Sequence, residues 1–273
     1  MEQDRNAIYE KFFRRHGPSP ETVIQNTFGI PTESISERVL LSPGWVPERL
    51  FPADEIRELC AVSPLFGYHI WEVCHKGVNC TYIKTGFGAP VNLDAVLLLG
   101  LTACRTIIFI SSVGSLSSEM AVGDLFLPEY ALSGDGAVRY LSEDIVSDSF
   151  GSVCRPDKSL YLRLREAAEA ECNRAGVRLH QGRLFCSDTI VAEEAAFGFA
   201  KARGAEAMDM ESAAVFRAAE TVGIKAAALL QVSDAPMTDK TLFHGRGDEA
   251  ERRYRRFVQR EVLPGILAGV LGR

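Results

Sequence analysis

The feature that most restricts the fold of this chain is the alternation of short apolar runs with helical segments that end at glycine. The run 106–111 is β-branched and apolar, which is typical of a strand buried on both faces. Helical periodicity over Lys158–Ala175 stops at Gly176, and a second helical segment, 213–222, stops at Gly223. This order predicts an α/β fold: a single-domain three-layer α/β/α sandwich with a mixed, mostly parallel central sheet.

Other segments extend the same pattern. Strands are also predicted at 39–41, 68–73, 80–84, 123–128, 177–185 and 225–232, and helices at 90–101, 193–203 and from residue 248 onward. Residues 1–37 are polar and rich in turn residues, so we expect an N-terminal helix and an extended arm packed on a main domain of residues 38–273.

Composition and charge exclude several classes of protein. Apolar residues make up 47% of the 273 residues, enough to fill a sizeable core, so disorder is not expected. The formal net charge of -6 argues against a nucleic-acid surface. No apolar stretch is long enough to span a bilayer, and the charged N-terminus has no apolar signal-peptide core. We therefore expect a cytoplasmic protein with no membrane partner.

The cysteines predict neither disulfides nor a metal site. Their number is odd, and no C-x-x-C pair occurs. Several lie inside apolar runs, which favours buried free thiols in a reducing compartment. No metal is expected, because the sequence has no tight cluster of cysteine and histidine. The seven cysteines are Cys60, Cys74, Cys80, Cys104, Cys154, Cys172 and Cys186.

Small and polar residues follow several predicted strands, where ligands bind in sheets of this kind. Such segments lie at 111–115, 186–189 and 233–236, and a fourth, 207–214, places acids between an apolar strand and an alanine-rich helix. Each segment alone is typical of a helix cap or a turn. Glu211 stands inside an apolar stretch, however, and Asp234 follows a fully apolar strand. Two such carboxylates suit glycosidic chemistry, in which one holds ribose hydroxyls and the other donates a proton to the departing base.

Six motifs, taken in order, resemble the nucleoside phosphorylase superfamily, which includes purine nucleoside phosphorylase, uridine phosphorylase and related nucleosidases. The resemblance covers about residues 38 to 265 and implies a nucleoside phosphorylase-like catalytic domain. The motifs are Ser42-Pro43-Gly44, Gly86-x-Gly88-Ala89-Pro90, Ser112-Val113-Gly114 with Gly123-Asp124, Ser187-Asp188-Thr189, Met208 to Ala214, and Val232-Ser233-Asp234.

The resemblance implies a reaction and roles for residues. The enzyme would cleave a nucleoside with phosphate as co-substrate, giving free base and ribose 1-phosphate, with no other cofactor. Glu211 would bind the ribose 2′- and 3′-hydroxyls, Met210 would pack on the sugar, and Asp234 would protonate or hydrogen-bond N7 of a purine. The implied contacts are Gly44, Arg49 and Ser112 for phosphate, Ser187, Asp188, Ile190 and Asp234 for the base, and His244 and Arg246 as loop residues that orient Asp234, close over the base or are simply exposed. A homo-oligomer, either a dimer or a hexamer of dimers, is also implied.

The sequence departs from this pattern where phosphorolytic members bind phosphate with arginine. Phe109 and Ser63 stand at two of those positions, and Arg49 matches a third only with a one-residue shift. Each lost contact is worth about 1.5–3 kcal/mol. Three alternatives follow. In the first, Arg38, Arg49 or Arg105 supplies the charge. In the second, water is the acceptor, as in AMP nucleosidases; segment 233–236 resembles the Ser-Asp-x-Pro motif of those enzymes. In the third, the chain is a non-catalytic nucleoside-binding homologue. The segment 190–207 lacks the Gln-x-Arg of uridine phosphorylases.

Overall fold

The computed structural model describes residues 2–142, 144–146, 150–238, 240–244 and 248–272, with the backbone alone for residues 2–7 and 16. Its strands are β1 Arg38–Ser42, β2 Ile56–Cys60, β3 His69–His75, β4 Val78–Lys84, β5 Thr106–Ser115, β6 Leu125–Ser133, β7 Ser152–Cys154, β8 Leu179–Cys186, β9 Ala207–Asp209 and β10 Lys225–Asp234. Its helices are α1 Glu2–His16, α2 Pro20–Phe28, α3 Ala89–Leu99, α4 Lys158–Ala175, α5 Glu194–Ala202, α6 Ser212–Val222, α7 Glu249–Phe257 and α8 Leu263–Leu271, with a π-helical turn Val258–Val262 between the last two.

The strands form one mixed sheet, as predicted. Strands β2, β3, β4, β1 and β5 lie side by side in that order, and β5, β10, β6, β8 and β9 close into a ring because β10 pairs with both β5 and β6. In the described residues, antiparallel pairings are as numerous as parallel ones. The ring brings the ends of β5, β9 and β10 together.

Alternating side chains of β5 fill two cores, which explains why this run is apolar throughout. Ile107 and Phe109 pack in the cluster that contains α3 and α6. Ile108 and Ile110 pack in the cluster that contains α4 and α8. Because side chains of a strand point alternately to its two faces, helices on both sides require apolar residues at every position. The predicted α/β architecture is therefore confirmed.

Several element ends agree with the predictions, and others differ for identifiable reasons. Helix α4 spans Lys158–Ala175 as predicted, with the Asp157 side chain accepting from the Leu160 N–H and Gly176 in the left-handed conformation. Segment 111–115 belongs to β5, because β9 and β10 continue the pairing through it. The predicted N-terminal arm contains a second helix, α2, capped by the Ser19 side chain. Strands β2 and β7 were not predicted.

All seven cysteines have free thiols, and five of them are buried. No group of three or more potential metal ligands is found in the described residues. Within the same residues, no helix is both long and apolar enough to cross a membrane.

Candidate active site

A cavity of about 100 Å³ lies where β5, β9 and β10 meet, and we call it the central pocket. Segments after β4 and β8 complete its wall. Its lining consists of Phe87, Ser111, Ser112, Val113, Gly114, Ile190, Glu193, Met208, Asp209, Met210, Glu211, Ser233, Asp234, Pro236 and Leu242.

Glu211 is buried at the wall of this pocket, directly before α6. The Gly88 N–H donates a hydrogen bond to Glu211 Oε1 over 2.8 Å. Gly88 has a φ of 104°, a conformation that a side chain would strain, so glycine is needed to aim this N–H at the carboxyl group. Burial, and then the charge of Asp209, raises the pKa of Glu211 to about 8. The pocket therefore holds a carboxyl group that ionises near neutral pH.

Asp209 positions Glu211 through hydrogen bonds to the backbone at the start of α6. Its Oδ1 accepts from the Glu211 N–H at 3.3 Å and from Cys186 Sγ at 2.8 Å. Its Oδ2 accepts from the Ser212 N–H at 3.1 Å and from Ser212 Oγ at 2.5 Å. These bonds satisfy donors at the start of α6 and fix the backbone that carries Glu211. No role is predicted for Asp209 from the sequence, because its partner Cys186 is distant in the chain.

Replacing Asp209 with asparagine should move the pH dependence of the nucleoside cleavage that the superfamily resemblance implies. If catalysis requires ionised Glu211, the rising limb of kcat/KM is governed by that group. Removing the charge of Asp209 lowers the pKa of Glu211, so the limb should shift to lower pH. The measurement is the pH profile of nucleoside cleavage for both proteins. A profile that only scales down, without a shift, would leave Asp209 with a purely structural role.

Asp234 enters the pocket at an irregularity in β10. The pairing of β10 with β5 shifts register between Val232 and Asp234, opposite Gly114. A Cβ on Gly114 would lie 3.7 Å from Asp234 Oδ1 and 3.2 Å from Pro236, so glycine allows this close approach. Ser233 Oγ donates to Asp234 Oδ1 over 2.6 Å. Burial raises the pKa of Asp234, which favours the protonated form that a proton donor needs.

Glu193 is a further carboxyl group of the pocket that the sequence analysis did not identify. It lies directly before α5, and burial together with the charge of Asp234 raises its pKa to about 7. Its carboxylate has no hydrogen bond or ion pair with the described part of the chain. In the sequence, Glu193 could be noticed only as one of two adjacent acids, Glu193 and Glu194, within an apolar segment. Acids are common at the exposed starts of helices, so this pair does not indicate a binding site.

The loop after β1 packs against two residues of the pocket lining, Ser112 and Phe87. Trp45 Nε1 donates to Ser112 Oγ over 3.3 Å, and the guanidinium of Arg49 lies 5.3 Å from the Trp45 ring centroid. A Cβ on Gly44 would come within 2.4 Å of the Phe87 ring, which lines the pocket. Gly44 therefore allows this ring to pack against the loop.

A family model described as the phosphorylase superfamily matches residues 53–263. The chain belongs to the phosphorylase superfamily.

Relatives in the phosphorylase superfamily carry two names. A DeoD-type purine nucleoside phosphorylase from Mycoplasma genitalium is 26% identical over 236 residues, covering 83% of this chain and 91% of that protein. A uridine phosphorylase from Thermococcus kodakarensis is 29% identical over 177 residues, covering 64% of this chain and 59% of that protein.

Solved structures with the superfamily fold are also similar. The purine nucleoside phosphorylase of Toxoplasma gondii superposes with a TM-score of 0.71 at 17% identity, covering 91% of this chain and 96% of that one. The uridine phosphorylase of Vibrio fischeri ES114 gives a TM-score of 0.70 at 18% identity, covering 90% of this chain and 95% of that one. At these identities the likeness shows the fold, including the predicted nucleoside phosphorylase-like architecture.

The structure brings together five of the residues that the superfamily resemblance had indicated. Ser112, Ile190, Met210, Glu211 and Asp234 all line the central pocket. Apart from the adjacent pair Met210 and Glu211, they come from separate strand ends or loops, so their convergence depends on the closed ring of strands.

Other indicated residues lie outside the lining. Ser187 Oγ donates to the Thr189 carbonyl, and Asp188 Oδ2 accepts from the Gly136 N–H, so these side chains hold loops together. His244 Nδ1 lies 2.9 Å from Thr241 Oγ1 in an exposed position. Arg246 lies outside the described residues. Gly44 touches the pocket only through Phe87, and Arg49 lies beyond Trp45.

The positions that replace superfamily arginines have structural roles. Phe109 is fully buried in the core, as its apolar neighbours predicted. Ser63 Oγ accepts from the Tyr68 N–H at 2.8 Å and closes a loop. Arg38 and Arg105 lie at the amino ends of β1 and β5, where they line a different groove. Arg105 is seven residues from Ser112, or about 23 Å along a strand, so neither arginine supplies charge to this pocket in the same chain.

Proposed function

We propose that the protein cleaves the N-glycosidic bond of a purine nucleoside with phosphate as the acceptor, releasing free base and ribose 1-phosphate. The observation that carries this proposal is the pair Glu211 and Asp234, two buried carboxyl groups with raised pKa values in one pocket. A buried carboxyl group needs hydrogen-bond partners, and a ribose hydroxyl or a base nitrogen can be such a partner.

In this mechanism the two carboxyl groups act in different protonation states. The ribose hydroxyls donate hydrogen bonds to Glu211, which lowers its pKa from about 8 and favours the ionised form, while Met210 packs on the sugar. Protonated Asp234 donates its proton to N7 of the base as the electron pair of the glycosidic bond moves to the leaving group. Positive charge develops on the ribose, and the carboxylate nearby stabilises it more in the transition state than in the ground state.

Glu193 supports a base with hydrogen-bond donors. It lines the same pocket as Asp234 and Ile190, and an unpartnered carboxylate accepts hydrogen bonds from N–H groups. A purine such as guanine presents N1–H and an exocyclic amino group, whereas unsubstituted purine carries neither. We therefore expect Glu193 to bind the edge of the base.

Replacing Glu193 with glutamine should change base selectivity more than turnover. The loss of a charge-assisted acceptor should lower kcat/KM for guanosine about tenfold relative to purine riboside, the effect of about 1.4 kcal/mol. The measurement is the ratio of the two kcat/KM values. Glu194→Gln, which changes the adjacent exposed acid, is the matched control. An unchanged ratio in the Glu193 variant would remove it from base recognition.

Phosphate as the acceptor is supported by the superfamily relatives, whose names describe phosphorylases. A second candidate, hydrolysis, is supported by the pocket itself. The described lining residues include no arginine or lysine, although four of them are carboxylic acids: Glu193, Asp209, Glu211 and Asp234. Such a pocket repels an anionic nucleophile and accepts water. A binding protein without turnover is the third possibility from the sequence.

One experiment distinguishes these functions. The protein is incubated with a nucleoside panel, with and without phosphate, and the sugar product is identified. Ribose 1-phosphate formed only with phosphate supports the proposal. Free ribose at a rate independent of phosphate overturns phosphorolysis and establishes hydrolysis, and saturable binding without product contradicts both enzymes.

We also infer a cytoplasmic homo-oligomer that acts in purine salvage. Free thiols throughout the chain suit a reducing compartment. A dimer, or a hexamer of dimers, would allow a neighbouring subunit to add a cation to the phosphate position. Light scattering measures the oligomeric state, and an active monomer would contradict this part.

A further inference from the structure

A second cavity, of about 390 Å³, lies outside the central pocket and is lined mainly by arginine. We call it the arginine groove. Its charged lining consists of Arg49, Arg252, Arg255, Arg256, Arg260 and Glu48.

The spacing of these arginines follows helix geometry. Residues 255 and 256 follow residue 252 by three and four positions, and residue 260 follows residue 256 by four, so the four arginines face one side of α7 and the π-helical turn. Arg253 falls on another side and does not line the groove.

Hydrogen bonds hold this helical surface on the sheet. Gln259 Nε2 donates to Gln231 Oε1 over 2.7 Å, and Gln231 Nε2 donates to the Arg255 carbonyl over 3.2 Å. Gln231 and Gln259 are buried. The helical segment that carries the arginines is therefore held against β10, so the backbone positions of these arginines are fixed.

The charge in the groove is unusual for this protein. The chain has a formal net charge of -6, yet five guanidinium groups and one carboxylate line this cavity. Arg256 and Arg260 form no ion pair with the described residues. Like charges at close range repel one another, and a bound anion would replace this repulsion with attraction.

The groove is separate from the central pocket. The Trp45 ring faces Arg49, and its Nε1 edge donates to Ser112, which lines the central pocket. Trp45 is only 4% exposed and packs between Arg49, which lines the groove, and Ser112, which lines the central pocket. A ligand in the groove would not occupy the position of the nucleoside.

We propose that the arginine groove binds a small polyphosphate anion, such as inorganic triphosphate or the triphosphate chain of a nucleotide. Arg252 and Arg260 are eight residues apart, about 12 Å along a helix, which suits a chain of phosphates better than a single phosphate. Guanidinium groups bind phosphate oxygens in a bidentate manner. The cavity has the size of a small-molecule site, and the net negative charge disfavours a nucleic-acid backbone. The groove shares no lining residue with the central pocket, and the proposed ligand does not depend on which reaction occurs there.

Calorimetric titration at constant ionic strength tests this site, with sodium triphosphate and ATP as the probes. The wild-type protein should bind triphosphate at one site per chain, and Arg256→Gln combined with Arg260→Gln should weaken binding at least tenfold. Arg253→Gln, on the same helix, is the matched control and should bind as the wild type does. Glu211→Gln should also bind normally. Equal affinity for triphosphate and ATP would show that the site recognises phosphates alone, and tighter binding of ATP would show an additional contact to the nucleoside. Either result supports the site if the double variant binds both ligands more weakly.

Several results would overturn the proposal. These are no saturable binding by the wild type, equal loss in the Arg253 control, or ATP binding that the double variant leaves unchanged. If light scattering shows that the double variant changes the oligomeric state while the wild type binds no triphosphate, the groove is a contact between copies and not an anion site. A thermal melt checks the fold of each variant, and the single variant Arg256→Gln replaces the double variant if that one unfolds.

Discussion

Replacing Glu211 with glutamine should lower kcat/KM for nucleosides at least about tenfold, a loss of about 1.4 kcal/mol in transition-state stabilisation. Glutamine still accepts the hydrogen bond from the Gly88 N–H, so the local structure should persist. It carries no negative charge, however, and cannot stabilise the developing positive charge on the ribose. This loss should occur whether phosphate or water is the acceptor.

The same substitution should stabilise the folded protein at alkaline pH. The pKa of Glu211 is about 8 in the folded protein, compared with an ordinary value of 4.5. The folded protein thus binds this proton more tightly, and wild-type stability falls as the pH rises from about 4.5 to about 8. Glutamine removes this pH dependence. The variant should gain at least about 1 kcal/mol, or about 2 °C in Tm, near pH 8.5 and little at pH 4.5.

Steady-state kinetics and thermal melts at the two pH values measure these effects. Glu220→Gln provides the control, because Glu220 lies on α6, the helix that Glu211 directly precedes, with its side chain 72% exposed. Unchanged kinetics in a folded Glu211 variant would remove Glu211 from the site. Equal stability changes at both pH values would contradict the raised pKa.

Replacing Asp234 with asparagine should slow nucleosides with ordinary bases by about 100-fold, the usual contribution of a general acid. A 7-methylated purine nucleoside already carries a cationic base, needs no proton at N7, and should be largely spared. Asparagine is nearly isosteric and can still accept from Ser233 Oγ. The substitution therefore removes the transferable proton with little change in shape.

The decisive measurement is kcat for inosine and for 7-methylinosine in both proteins. Ser233→Ala is a useful companion, because it keeps the carboxyl group of Asp234 and removes the Ser233 hydroxyl, which donates to Asp234 Oδ1 and to the Val113 carbonyl. That variant should retain the wild-type order of the two substrates. If Asp234→Asn loses as much activity on the methylated substrate as on inosine, Asp234 positions the base and does not protonate it.

Much of the fold could be predicted because it rests on local periodicity. The apolar run at 106–111 and the capped helix α4 are patterns of consecutive residues; the run forms the first part of β5, and α4 has the predicted ends. Glu211 and Asp234 could be identified for a related reason. An acid within or directly after an apolar segment is conspicuous, and both groups line the central pocket.

The remaining features depend on contacts between distant segments. Phe109, which stands where phosphorolytic members have an arginine, lies in the core. Arg49, which matches another such arginine with a one-residue shift, packs on Trp45 and does not line the central pocket. Glu193 joins Asp234 only because the ring of strands closes, although its own neighbours are those of an ordinary helix start.

The sequence by itself therefore determined the α/β class, most of the strands and helices, and the two central carboxyl groups. Periodicity within a segment decides those features. The tertiary structure alone decided which polar side chains share a cavity and where the arginines gather. The register shift at Asp234, the pairing of β9 with β5 and the docking of α7 place those side chains, and each depends on residues far apart in the chain.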